Sequence, residues 1–274
     1  LEHMQQHPAY SVVAVWDPSE DACGKAKAAA PDVTLAATAE DAIAAADLVY
    51  LACPPVPRKA YALAAAEAGK AVFLEKPLGI DIAESRDLVA KIDAFGVPAA
   101  VNFTQAAGAA LSDVHAAAKA GDLGELAGAD IIVTYPAWPR AWQQAADWLR
   151  FRAEGGMTRE VISHFLFFSE RILGPLELVS VGGAQPDRQE LTIKGSKASR
   201  RISEFYLDDV STGGAFTPVV EEYADPRATS LRAQLDDLVL LIDGKPNRLA
   251  TLAEALRVQI LIEAILAGKP APAP

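Results

Sequence analysis

Positive charge is in short supply in this chain: 25 lysines and arginines stand against 36 aspartates and glutamates among 274 residues, a net charge of −11. Nucleic acids and anionic membrane surfaces demand clustered Lys and Arg, so neither is expected as a partner and a small molecule is. Cysteine is scarcer still. Cys23 and Cys53 lie far apart with no Cys-x-x-Cys pairing, which argues against a disulfide framework or structural zinc and fits a reducing, cytoplasmic setting. No apolar run approaches the roughly 20 residues needed to cross a bilayer, and the first residues lack the basic and apolar blocks of a secretory signal. Also absent before Asp17 is any Gly-x-Gly-x-x-Gly, the loop that admits a dinucleotide pyrophosphate to a helix start.

Apolar residues make up 51% of the chain, and alanine dominates them, which favours helices packed closely on a sheet. Ser11 to Trp16 is a β-branched run closed by Asp17-Pro18, and Ser19 caps an alanine-rich helix reaching about Ala30. A short strand over 33–36, a helix behind Thr38 and a buried strand over 48–52 follow. That strand stops at Cys53-Pro54-Pro55, since paired prolines cannot extend a ladder, and the next helix is expected from about Arg58 to Ala68 with Gly69 as its stop. Ala71 to Leu74 forms a strand ending in Glu75-Lys76-Pro77, Asp81 caps a helix to Phe95, and Pro98 to Phe103 forms one more strand. Strands alternating with such helices define an α/β fold of the Rossmann type, a doubly wound parallel sheet with helices on both faces. Ligands of these sheets bind at the carboxyl ends of the strands. Here those ends are Asp17, Cys53-Pro54-Pro55, Glu75-Lys76-Pro77 and Asn102 to Gln105, which should line one crevice. Asp17 stands where such folds keep an acid for the adenosine ribose hydroxyls, which favours NAD over NADP; a simple Asp-Pro turn is the alternative.

Beyond the helix ending near Ala120 the pattern changes. Leu126 to Tyr135 is a long strand, a loop-rich tract reaches Gly155-Gly156, and Thr158 to Leu173 shows helical spacing through Val161, Ile162, Phe165, Phe168 and Ile172. Strand-like pieces at 178–181, 190–194 and 201–206 precede two closing helices, about 229–242 and 252–267. The division expected is a dinucleotide-binding domain over 1–121 and a substrate or oligomerisation domain of α+β type over 122–274, with the closing helices packing on both. Trp138, Arg140 and Trp142 can line a sugar site, since flat rings stack on sugar faces and arginine offers forked donors; a rim or subunit contact is the other reading. Lys194, Lys197, Arg200 and Arg201 read as solvated charges on a hairpin.

Cys53-Pro54-Pro55, an alanine-rich helix, Glu67-Ala68-Gly69-Lys70 and then Val72-Phe73-Leu74-Glu75-Lys76-Pro77-Leu78 strongly resemble the Gfo/Idh/MocA family of glucose-fructose oxidoreductase and inositol dehydrogenase-like enzymes. The likeness continues through Gly121-Asp122-Leu123-Gly124-Glu125, through Gly155-Gly156 with His164 beyond it, and through Gly195-Ser196-Lys197. The resemblance implies an amino-terminal Rossmann domain and a carboxyl-terminal open, mainly antiparallel sheet that serves as a homo-oligomer face. It also implies hydride transfer between NAD(P) and a sugar, cyclitol or related polyol. Residue by residue, it implies that Lys76 contacts the reacting hydroxyl, that Pro77 turns the backbone there through a cis bond, and that His164 is the active-site histidine. The family usually places an aspartate four residues before that histidine; Glu160 keeps the carboxylate on a longer arm. Gln105 falls near a position where relatives often carry arginine. These departures favour the alternative of a non-catalytic dinucleotide- or metabolite-binding protein of the same fold, and a purely structural partner subunit is a third reading.

The residue types suit the chemistry. Oxidising an alcohol needs a base for the hydroxyl proton, which a histidine supplies, and a nearby ammonium stabilises the developing alkoxide. Spacing i, i+4 puts Glu160 and His164 on one helix face, where the carboxylate can bind substrate or orient the ring. No third arm accompanies that pair, so no metal is expected. A fold of this kind carries its glycine loop upstream of Leu1, and Leu1 to Gln6 resembles the tail of the helix after it. A chain truncated at its amino end is therefore expected, its absent strand lying between those at 11–16 and 48–52. Strands also run short between Gly174 and Ile193, from unobserved residues around 178–190 or from a small sheet.

Overall fold

Parallel strands covered on both faces are apolar along their whole length, and three strands meet that description: β3 (Leu48–Leu51), β4 (Ala71–Glu75) and β5 (Ala99–Asn102), in the order β3-β4-β5. They belong to a computed structural model that describes residues 1–135, 137–140, 143, 147–176, 188–219 and 225–270. Alternate residues of β4 serve different layers. Val72 and Leu74 enter the main core, whereas Phe73 joins Leu238 of helix α8 (Pro226–Ile242) in a smaller cluster. The register sets Leu51 beside Leu74 and Glu75 beside Asn102, so the carboxyl ends of the strands form one edge.

Upstream, α1 (Glu2–Gln6) packs on α8. Helices α2 (Glu20–Ala29) and α3 (Ala39–Ala45) start behind the expected caps, Ser19 accepting from Ala22 N and Thr38 from Asp41 N. Strand β1 (Ala14–Val15) pairs in parallel with β2 (Thr34–Leu35) as a sheet of its own. Among the described residues no strand bridges β1 and β3, the place where the sequence led us to expect an absent strand, so the parallel strands fall into two sheets. Helix α4 (Pro55–Glu67) begins ahead of the expected Arg58. Proline in the first turn gives up only an amide that a helix leaves unpaired there, so the same prolines that end β3 start α4. Helix α5 (Ile82–Phe95) runs from its Asp81 cap to Gly96, whose φ of 68° closes it.

The third sheet is antiparallel, in the order β10-β9-β8-β7-β6, with β6 over Leu126–Thr134, β7 over Arg188–Gly195, β8 over Ser199–Ser203, β9 over Leu207–Ser211 and β10 over Thr217–Pro218. The strand expected over 201–206 is cut by a turn in which Glu204 and Phe205 take φ of 50° and 68°. Residues other than glycine seldom adopt that region, so residue type gave no sign of the turn. The hairpin cations are a second correction. Arg200 pairs with buried Asp208, Arg201 with Asp209 at 2.8 Å and Lys194 with Asp130 at 2.5 Å, so they are cross-strand ion pairs rather than merely solvated charges. The strand expected at 178–181, and the suspected gap with it, lie largely in 177–187, outside the described residues.

Helix α6 (Ala109–Ala120) connects the β3-β4-β5 sheet to the antiparallel sheet, and a π-helical turn, Thr158–Ile162, leads into α7 (Ser163–Leu173). Phe165, Leu166, Phe167 and Phe168 of α7 are fully buried in the main core, which runs without a break under both sheets. Helix α9 (Leu252–Ala267) packs on α5, α7 and β5. No helix among the described residues is long and apolar enough to cross a membrane.

Phe165 is wholly enclosed, packed against Phe168 and Phe205. Phe165→Ala should lower the free energy of urea unfolding by about 3–5 kcal/mol; a loss below about 1 kcal/mol would contradict its place in the core.

Candidate active site

A cation in the first turn of a helix opposes the helix dipole and needs a specific partner. Arg58 of α4 has three. Its guanidinium, in a residue 2% exposed, donates to the carbonyls of Cys53, of Pro77 and, at 2.7 Å, of Glu75. The ends of β3 and β4 are thereby held together at the turn that carries Lys76. Beside it the Glu75 carboxylate accepts from the Tyr50 hydroxyl and, at 2.7 Å, from Asn102 Nδ2, while Asn102 Oδ1 accepts from Gln234 of α8. Glu75 and Asn102 therefore form a buried network across the strand ends. Pro54 and Pro55 open α4, and partial burial pushes the Cys53 thiol up. Asp17 is exposed, and its Oδ1 accepts from Ser19 N at 2.8 Å, the turn geometry held open above.

The peptide bond Lys76–Pro77 is cis. Lys76 Nζ donates to the Glu160 carbonyl at 2.8 Å and also to the Glu160 carboxylate. Glu160 Oε1 accepts from Gln143 Nε2 at 3.2 Å, and the Arg140 guanidinium lies 3.9 Å from the same oxygen. Arg140 donates to Gln143 Oε1 at 2.8 Å and lies over the rings of Tyr135 and Trp138, 5.2 and 5.7 Å from their centres. Trp138 spends its indole N–H on the Leu149 carbonyl, so it serves as a backing for Arg140. Trp142 lies outside the described residues.

His164 is 8% exposed and sits between aromatic edges, with Phe103 at 5.5 Å and 86° and Phe205 at 5.7 Å and 80°. Its Nδ1 is enclosed and has no hydrogen-bond partner. Of the two roles held open for Glu160, orienting this ring is not the one seen: Glu160 lies in the wider π-helical turn rather than in α7, and its carboxylate contacts Lys76. The aromatic walls orient the imidazole instead. Burial, and then the Lys76 and Arg140 cations, hold its pKa well below the usual 6.5, so it is neutral at neutral pH and able to take a proton. Gln105 stands apart from this cluster, donating through Nε2 to Tyr206 OH at 3.3 Å. Among the described residues no three His, Cys, Asp or Glu side chains converge on one point.

Sequence reasoning missed Arg58, Tyr50, Gln143 and Phe205. Only Arg58 left a signal, as a cation at the wrong end of its helix. The others reach the site through chain folding that local pattern does not encode.

Residues 1–103 match the GFO_IDH_MocA family model, described as an oxidoreductase family with an NAD-binding Rossmann fold. No curated protein sequence matches the chain. Among solved structures it is similar to the WlbA dehydrogenase from Bordetella pertussis in complex with NADH and UDP-GlcNAcA, with a TM-score of 0.79 at 19% identity over 99% of this chain and 93% of that one. An oxidoreductase domain protein from Kribbella flavida gives 0.76 at 18% identity, covering 99% and 96%. A levoglucosan dehydrogenase in complex with NADH and levoglucosan gives 0.78 at 15%, covering 96% and 90%. At these identities the likeness establishes a shared fold over nearly the whole chain.

The neutral state of His164 has a consequence for stability. An unfolded chain protonates this histidine below about pH 6.5, whereas the folded protein resists it, so its effect is nil above that value and destabilising as pH falls through it. His164→Phe should therefore gain in urea midpoint relative to the parent between about pH 7.5 and 5.5; a pH-independent difference would contradict the burial of a neutral ring.

Proposed function

We propose that the chain is an NAD-dependent oxidoreductase that moves a hydride between the nicotinamide and a sugar, cyclitol or related polyol. The observation that carries this reading is the contact of Lys76, from the end of a Rossmann strand, with Glu160 from beyond residue 121, where the Lys76 cation also acts on the neutral, buried His164. That meeting also supports dividing the chain into a cofactor-binding part and a substrate part near residue 121. Asp17 and the strand-end residues Cys53, Pro54 and Pro55 suit the two ends of a dinucleotide, and the exposed Asp17 carboxylate favours NAD over NADP because a 2′-phosphate would face it. The WlbA dehydrogenase and the levoglucosan dehydrogenase, each solved with NADH and a sugar-type ligand, support the same class of reaction.

When bound, NAD supplies the hydride acceptor. Lys76 then holds the substrate oxygen and stabilises its alkoxide character, while Glu160 and Gln143 fix the direction of the amine. Neutral His164 takes the hydroxyl proton. Lys76 and Arg140 make the protonated ring unfavourable, which eases the return of that proton in the opposite direction. One observation favours the alternative of binding without turnover: the Lys76 amine is already engaged by Glu160. A panel of sugars and polyols with NAD, followed by NADH absorbance, separates the two. Turnover on at least one is expected, and Lys76→Met should lower its kcat roughly 100- to 1000-fold, the loss of one strong oxyanion donor. NADH binding with no turnover across the panel, or unchanged kcat in the variant, would overturn the reading.

A further inference from the structure

A cleft outside the Lys76 centre is lined by Gln105, the first turns of α6 and α8, Phe205 and Tyr206, and holds about 280 Å³ of space that is partly open to solvent. Helix α6 starts behind Gly108, which has no side chain to cap it. The amides of Ala109, Ala110 and Leu111 therefore lack a partner within the helix, and no side chain caps them among the described residues. The bare glycine also lets α8 come close, since a Cβ there would meet Ser230 Oγ at 3.0 Å and the Gln105 carbonyl at 3.1 Å.

Gln105 provides the independent sign of a ligand. It is 6% exposed, its Nε2 donates to Tyr206 OH, and its Oε1 is enclosed with no partner. An unpartnered buried amide end costs about 1–3 kcal/mol. The two ends of a glutamine amide exchange by a simple flip, and an anion in the cleft selects the orientation in which Tyr206 donates to Oε1 while Nε2 turns to the anion. Arg227 and Asp225 act on Tyr206 in opposite senses. The positive end of α6 adds a field that favours an anion.

We propose that this cleft is a carboxylate-binding site. Three helix amides and one side-chain amide suit a single negative charge, and among the described residues no lysine or arginine lines the cleft to meet a phosphate dianion. Phe205 walls both this cleft and the His164 ring. The carboxylate therefore belongs either to a sugar acid whose hydroxyl reaches His164, a source that rests on the function proposed above, or to a separate small acid.

Amide NMR of the full chain, titrated with acetate, D-glucuronate and neutral D-glucose, tests the site without cofactor or turnover. Saturable shifts of the Ala109, Ala110 and Leu111 amides are expected with both acids and not with glucose. A glucuronate midpoint about tenfold below that of acetate, equivalent to 1.4 kcal/mol, assigns the group to the substrate, and equal midpoints assign it to a separate acid. Gln105→Glu should abolish the shifts by placing a carboxylate in the cleft, and Gln105→Met should weaken them should the first variant fail to fold. Absence of saturable shifts in the parent, leaving the amides to water, or unchanged shifts in the folded variants would overturn the site. Because no hydride transfer enters the readout, its failure is distinguishable from failure of the proposed reaction.

Discussion

The contact between Lys76 and Glu160 ties the candidate site together. One partner comes from the end of a parallel strand and the other from a π-helical turn before α7, far apart in sequence. Both are largely buried, and buried charges are tolerated only when paired and hydrogen-bonded. Glu160 meets that condition through Lys76 and Gln143, with Arg140 at its edge. The Lys76 amine is thus held and aimed by its contacts with Glu160. Arg58 extends the same constraint into the backbone, since its hold on three carbonyls fixes the strand ends from which Lys76 projects.

His164 depends on the opposite arrangement. Nothing polar holds its Nδ1, and aromatic edges with two nearby cations keep the ring neutral. An amine and a neutral imidazole are what alcohol oxidation asks for, a stabiliser of developing negative charge and an acceptor for the proton. Their surroundings differ: Lys76 has a carboxylate partner and His164 has apolar walls.

Much of the first half was legible in the sequence because its signals are local. Ser19, Thr38 and Asp81 cap the helices expected behind them, Gly96 closes α5, and β4 delivers Lys76 to the carboxyl edge. The paired prolines were read only as a stop, although they also start α4. The second half was harder. The turn at Glu204-Phe205-Tyr206 rests on left-handed conformations at residues that rarely take them, and the π-helical turn breaks the helical spacing that linked Glu160 to His164. Gln105 was placed by its strand end alone, and its bond to Tyr206 beside the first turns of α6 and α8 could not be read from that position. Sequence order places residues at the right edge of a sheet; which neighbour each side chain meets is decided by packing between distant segments.

The account stands on the strand-end crevice being a dinucleotide site. Titration of NADH fluorescence against the full chain, repeated with NADPH, tests this most directly. Saturable enhancement with NADH, and binding of NADPH weaker by about tenfold or more from repulsion at Asp17, is the predicted result. Absence of saturable NADH binding would contradict it.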